Sequence, residues 1–277
     1  MQAISLLSGQ SIPRLGMGTW RMGEATHQLQ QEVMALQRGL DLGMALIDTA
    51  EMYAEGGAEQ VVGEAIRGRR SEVFLVSKVY PHNATRRGTL AACDRSLARL
   101  KTDYLDLYLL HWRGTVPLAE TLEAFETLQS QGKIRAYGVS NFDCRDMEEA
   151  WRLKAGKVIA VNQVLYNLMR RGIEWDLLPW CHQHQIPIMA YSPVEQGRLL
   201  RHPTLQSIAQ RRQVSTAQLA IAWLLHQDPT IVIPKASSIA HIEQNLAALD
   251  LSLSPDELQA LDTAFPPPTQ PVPLAML

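Results

Sequence analysis

Short runs of aliphatic and β-branched residues alternate with longer stretches of helical period along the whole chain. Candidate strands fall at 16–20, 45–48, 73–79, 105–112, 134–141, 158–164, 186–192 and 230–235. Between them, apolar residues recur at helical spacing near 27–42, 58–67, 85–100, 118–131, 144–154, 174–184, 204–226 and 239–249; Leu118, Leu122, Phe125 and Leu128 show the period. Strand and helix in strict alternation predict parallel βαβ units, and eight such units close a (β/α)8 TIM barrel. The 277 residues then form one barrel domain over 1–277, because such barrels run to about 250 residues. A doubly wound sheet is the alternative, but GMGTWRMG places Gly16, Gly18 and Gly23 off the G-x-G-x-x-G spacing.

The two ends read as additions to the barrel. Residues 3–13 carry a Ser8-Gly9-Gln10 turn between apolar runs, which predicts an N-terminal β-hairpin plugging the barrel's bottom. Ser254-Pro255-Asp256-Glu257 has Ser at the cap, Pro at the first turn and Glu three residues on, opening an extra C-terminal helix to about Phe265. The tail PPPTQPVPLAML cannot be regular; it is either a strap on the surface or a flap over the barrel mouth.

Composition narrows the function classes. With 26 basic and 28 acidic residues the net charge is −2, too little field for a nucleic-acid binder. The start MQAISLLSGQ has no signal-peptide pattern and no run spans a membrane, so a cytoplasmic protein is expected; a barrel of this size can be monomeric, and a small-molecule partner is expected. Cys93, Cys144 and Cys181 lie 51 and 37 residues apart, which suits neither a disulfide framework nor zinc. His182 and His184 stand two apart on a helix and do not face one another, so no metal site is expected.

In such a barrel the chemistry sits where the strands end. The second apolar run ends in Asp48, with Tyr53 in the loop beyond, the third delivers Lys78 and the fourth His111. Asp48 and Lys78 are either a buried ion pair under the loops or part of a site, and four polar groups converging on one mouth favour a site. A tyrosine, with its pKa near ~10, is protonated at neutral pH and can act as a general acid. A neighbouring Lys78 ammonium would stabilise the phenolate and lower that pKa, Asp48 would hold the ammonium, and His111 would orient a substrate oxygen. An acid aimed at a developing alkoxide suits carbonyl reduction.

At these residues the sequence resembles the aldo-keto reductase superfamily, most of all its bacterial branch of methylglyoxal and small-aldehyde reductases. The likeness runs through LIDTAEMYAEGGAEQVVGEAI, VFLVSKV, YLDLYLLHW, GKIRAYGVSNF, NQVLYN, IMAYSP and IVIPKA in register. It implies NADPH-dependent reduction of small aldehydes and dicarbonyls, with Asp48, Tyr53, Lys78 and His111 as the catalytic four. It also implies that NADPH binds across the mouth against Gly18, Thr19, Trp20 and Asp48. Ser140, Asn141 and Gln163 would take the carboxamide and Tyr191 would stack on the ring, although Asn141 could equally cap a helix and Tyr191 could be core. Ser192, Pro193 and the loop 194–200 would follow the pyrophosphate, and Lys235, Ala236 and Ser237 the 2′-phosphate at a helix N-terminus. His241 stands where many relatives carry an arginine, and Gln244 and Asn245 follow where an acidic residue is common. Histidine is mostly neutral at pH 7, so a weakened preference for NADPH over NADH is expected.

Trp20, Met22, Tyr53, Tyr80, His111 and Trp112 are expected to wall the substrate pocket, with Tyr80 and Trp112 equally readable as packing. Only 113–117 separates the fourth strand from its helix, which predicts a small, open pocket. Two other functions compete: a cofactor-binding redox-sensing subunit without turnover, and a Schiff-base aldolase using Lys78 or Lys235.

Overall fold

The structure is a computed structural model that describes residues 3–227 and 229–277. Strands β1 (Ala3–Ser5) and β2 (Ser11–Pro13) pair antiparallel, and Gly9 makes the turn at φ +80°, where a side chain would be strained. Leu6 and Ile12 of this hairpin are buried in the lower barrel interior.

The barrel strands are β3 (Gly16–Gly18), β4 (Leu46–Asp48), β5 (Phe74–Val79), β6 (Leu105–Leu110), β7 (Ile134–Ser140), β8 (Asn162–Leu165), β9 (Ile188–Tyr191) and β10 (Thr230–Ile233). Each pairs parallel with the next, and the bridges Leu15–Val232 and Gly18–Lys235 join the first to the last. Gly18 N donates to Pro234 O at 3.0 Å. A Cβ on Gly18 would lie 2.9 Å from Ile233 O, so this seam closes only on glycine.

Side chains alternate across each strand. Leu46, Phe74, Val76, Leu107, Leu109, Ala136, Val161, Met189, Ile231 and Ile233 point inward and form one apolar cluster with the hairpin. The opposite faces pack against the surrounding helices in a second, larger cluster. Those helices are α1 (Leu29–Asp41), α2 (Gly57–Ala65), α3 (Arg86–Leu100), α4 (Leu118–Ser130), α5 (Cys144–Arg152), α6 (Leu177–Gln183), α7 (Pro203–Arg212), α8 (Thr216–His226), α9 (Ile239–Ala247) and α10 (Pro255–Ala264). The capping box expected at Ser254 opens α10: Ser254 Oγ accepts from Glu257 N, and Glu257 Oε2 accepts from Ser254 N.

Three local expectations differ from the fold. The periodic stretch 204–226 is two helices, because Gln213 turns left-handed at φ +56° and Ser215 starts α8 with its own capping box. The strand expected from 158 begins only at Asn162, since Ala155–Val158 forms a single 3-10 turn. The helix expected from 174 starts at Leu177, where Asp176 accepts the first N–H. Among the described residues no helix is long and apolar enough to cross a membrane. Cys93 and Cys181 are buried, and burial pushes both thiols up to about 12.

The Pro-rich tail is ordered against the barrel. Val272 packs on Gly172, Leu274 on the outer core, and Met276 and Leu277 reach the upper mouth.

Candidate active site

Two residues beyond the last apolar inward position, the strands change character. On β4, Leu46 is followed inward by Asp48; on β5, Val76 by Lys78; beyond β6, Leu109 by His111. The same step leads from Val161 to Gln163, from Met189 to Tyr191 and from Ile233 to Lys235. Period two thus brings polar groups to the upper mouth, where all of them but the buried Lys78 line a cavity of about 580 Å³.

Lys78 is fully buried, and all three of its ammonium protons are engaged. Nζ donates to Asp48 Oδ2 at 2.7 Å, to Thr49 O at 2.8 Å and to the Tyr53 hydroxyl at 3.2 Å. Burial works against the charge, but Asp48 and Tyr53 outweigh it and hold the Lys78 pKa above its ordinary value. A lysine so held is not a Schiff-base nucleophile. Asp48 is satisfied on both oxygens, because Gln163 Nε2 donates to its Oδ1 at 2.7 Å.

The Tyr53 phenol accepts from Lys78, so its own proton is left for a partner in the cavity that Tyr53 lines. The expected lowering of its pKa does not win. Burial raises it by more than Lys78 lowers it, Asp48 adds to the rise, and the phenol stays protonated at neutral pH. His111 lies edge-on to Tyr53, with ring centres 5.7 Å apart. Burial first, and the Lys78 charge second, push its pKa well down, so the imidazole is neutral. Tyr53 is therefore the acid of this pair.

On the opposite wall, Ser140 Oγ donates to Gln163 O at 2.8 Å. Asn141 is left-handed at φ +57° and donates through Nδ2 to His111 O at 3.1 Å, while its Oδ1 accepts from the Tyr191 hydroxyl at 2.9 Å. Asn141 is not the cap of α5; Asp143 is, in a capping box with Asp146. Tyr191 is half-buried; it packs on the inner core cluster and also lines the cavity. Gln163 spends its amide nitrogen on Asp48. This leaves its carbonyl to accept from an amide in the cavity.

Gly18, Thr19, Trp20, Ser192, Pro193 and Lys235 also line the cavity. Lys235 is exposed, with Nζ 3.1 Å from Ser237 Oγ. Ala236, Ser237, His241, Gln244 and Asn245 lie beyond it, at the start of α9 and along it. Ala236 and Asn245 are buried there, and His241 and Gln244 are exposed. Ser238 caps α9 by accepting from His241 N. A cavity lined by hydroxyl and amide groups and a phenol, with a cation close before a helix N-terminus, fits a phosphorylated dinucleotide.

Two expected pocket residues stand elsewhere. Met22 is fully buried in the core, because Arg21 turns left-handed at φ +66° and Met22 N closes a turn onto Thr19 O. Tyr80 does not line the cavity; it meets Trp112 edge-on at 5.1 Å and so backs the wall that Trp112 forms. Glu51 holds that backing in place, accepting from Tyr80 N at 2.8 Å and Asn83 Nδ2 at 3.0 Å.

Arg21, Met52 and Ile233, which the sequence did not single out, complete the cavity, with Val194 and Gln196 from the loop expected along the pyrophosphate and Met276 and Leu277 from the Pro-rich tail. Arg21 and Met52 adjoin Trp20 and Tyr53, so neighbourhood alone could have found them. Ile233 could have been found from its strand period. Met276 and Leu277 belong to the tail for which a flap over the mouth is one of the two readings, but no local pattern marks these two positions within it.

The aldo/keto reductase family pattern matches residues 14–265. Methylglyoxal reductase YeaE of Escherichia coli is 55% identical over 263 residues, 93% of each chain. Glyoxal reductase of Bacillus subtilis is 34% identical, covering 94% of this chain and 91% of its own. An aldo-keto reductase from Klebsiella pneumoniae, solved in complex with NADPH, superimposes with a TM-score of 0.97 at 52% identity, covering 100% of this chain and 99% of its own.

Proposed function

The chain belongs to the aldo/keto reductase family, and from that premise and the geometry of the site we propose that it reduces small aldehydes and dicarbonyls of the methylglyoxal type to alcohols with NADPH. The observation that carries the reading is the Tyr53 phenol. It is protonated, it accepts from Lys78, and it has its own proton free toward the cavity.

Tyr53 gives that proton to the carbonyl oxygen as it becomes an alkoxide. Lys78 stabilises the phenolate left behind, and Asp48 keeps Lys78 in place. Neutral His111 hydrogen-bonds the same oxygen and fixes its direction. NADPH, when bound, supplies the hydride. Ser140, Asn141 and Gln163 would hold its carboxamide, Tyr191 its ring, and Lys235 with Ser237 its 2′-phosphate. NADPH binding in the Klebsiella pneumoniae relative, which is 52% identical, supports NADPH as the cofactor. The name of the Escherichia coli relative supports the substrate class.

Substrate size follows from the space. The cavity of about 580 Å³ must take the reactive end of the cofactor as well as the carbonyl, between Trp20, Trp112, Met52 and the tail. Small substrates fit that remainder.

The test is NADPH oxidation with methylglyoxal, followed by nicotinamide absorbance. Tyr53→Phe should lose at least about 100-fold in kcat while still binding NADPH. A mutant that turns over like the wild type would sink Tyr53 as the acid. A wild type that binds NADPH but leaves methylglyoxal untouched would sink the substrate class.

A further inference from the structure

The stretch from Ser192 to Gly197 forms one wall of the cavity through Ser192, Pro193, Val194 and Gln196. Its backbone is strained: Ser192, Glu195 and Gln196 have φ of +50°, +49° and +54°, and Gly197 follows at +88°. Residues with a Cβ resist that left-handed region and stay there only where the surroundings hold them. The restraints converge on one carboxylate. Glu195 is fully buried and does not line the cavity. Its Oε2 accepts from Asn167 Nδ2 at 2.9 Å. Its Oε1 accepts from Arg170 Nε at 2.9 Å and Nη2 at 2.8 Å, and from Arg198 Nη2 at 3.0 Å. Asn167, also fully buried, donates in addition to Ser192 O at 2.9 Å, and its own oxygen accepts from Met169 N. Two adjoining side chains therefore tie down both ends of the strained stretch.

We propose that Glu195, with Asn167, is a positioning residue for the cofactor: it locks the 192–197 wall into its binding shape before the dinucleotide arrives. This rests on the NADPH reading above. A wall already in place spares the ordering cost that a loose loop adds to binding. Glu195 suits the task because every group around its carboxylate is a donor. Glutamine has the same size but turns an N–H₂ toward either Asn167 or the arginines, where it meets a donor.

The experiment titrates the cofactor-free protein with NADPH by fluorescence and follows amide hydrogen exchange over 192–197 and the Tm. Glu195→Gln should raise the NADPH Kd about tenfold and speed exchange in this stretch, with kcat at saturating NADPH within about twofold of wild type. Arg198→Met removes one donor from a side chain that is 59% exposed and so leaves folding intact. It should raise Kd about two- to threefold, and it decides the question alone if Glu195→Gln does not fold. Kd within about twofold of wild type for Glu195→Gln, with Arg198→Met at the wild-type value, overturns the proposal even if Tm falls. Wild-type protein that does not bind NADPH overturns the cofactor reading instead. Exchange over 192–197 still reports separately whether Glu195 holds the wall.

Discussion

The lower and upper halves of the barrel interior are built on the same strands, at the same period, and differ in what meets the side chains there. Below, Leu46, Val76, Leu109 and Met189 form one apolar cluster with Leu6 and Ile12 of the hairpin. One inward step higher, Asp48, Lys78, His111 and Tyr191 occupy the corresponding places. The upper end tolerates them because the strands stop there and backbone groups come free. Thr49 O takes one ammonium proton, and Gln163 and Lys78 between them satisfy both Asp48 oxygens. A charge is stable at the end of a barrel strand where loops and neighbouring strands complete its hydrogen bonds, and not one layer deeper.

The contrast is broken most strongly at Lys78. Lys78→Met leaves Asp48 buried and unpaired, which should cost about 3–5 kcal/mol of stability by chemical denaturation, and activity should drop by at least about 100-fold. pH sharpens the same point. Reduction needs Tyr53 protonated and its pKa is raised, so the wild-type rate should stay level through neutrality and fall only above the ordinary phenol value of about 10. Lys78 acts to lower that pKa, so in any residual activity of the mutant the fall should come at higher pH. A rate that falls near pH 7 would contradict the protonation state assigned to Tyr53.

At the lower end, Ile12→Ala should cost about 2–5 kcal/mol from the cavity it leaves, with KM and kcat unchanged in the protein that remains folded. An altered KM would mean that the two halves are coupled. The smallest effect belongs to the outer rim, where His241 is exposed at the start of α9. His241→Arg adds a permanent, two-pronged cation and should raise the NADPH-over-NADH ratio of kcat/KM several-fold, about 1 kcal/mol. An unchanged ratio would place the 2′-phosphate away from this helix turn.

Much of the lower and middle barrel was legible from residue order. Alternation across a strand is a property of the backbone. Seeing Leu46-Ile47-Asp48 or Val76-Ser77-Lys78 is therefore enough to know that the last residue shares a face with the first. Caps are equally local, which is why Ser254 started its helix where expected and Asp143 took the place that Asn141 might have filled. The 204–226 stretch reads as one helix because its apolar period continues across a break that a single left-handed residue, Gln213, creates.

By itself, then, the sequence determined the strand period, the inward polar residue at each strand end and the capping box that opens the last helix at Ser254, all consequences of backbone geometry over a few residues. Only the tertiary structure decided what depends on groups far apart in the chain. Gln163 donates to Asp48 across 115 positions. The tail brings Met276 and Leu277 to the same cavity as Trp20, and one turn at Arg21 sends Met22 into the core. The pKa of Tyr53 belongs to this second kind as well. Its direction depends on how fully the assembled mouth excludes water, weighed against the Lys78 charge beside it, and no spacing of residues along the chain encodes that balance.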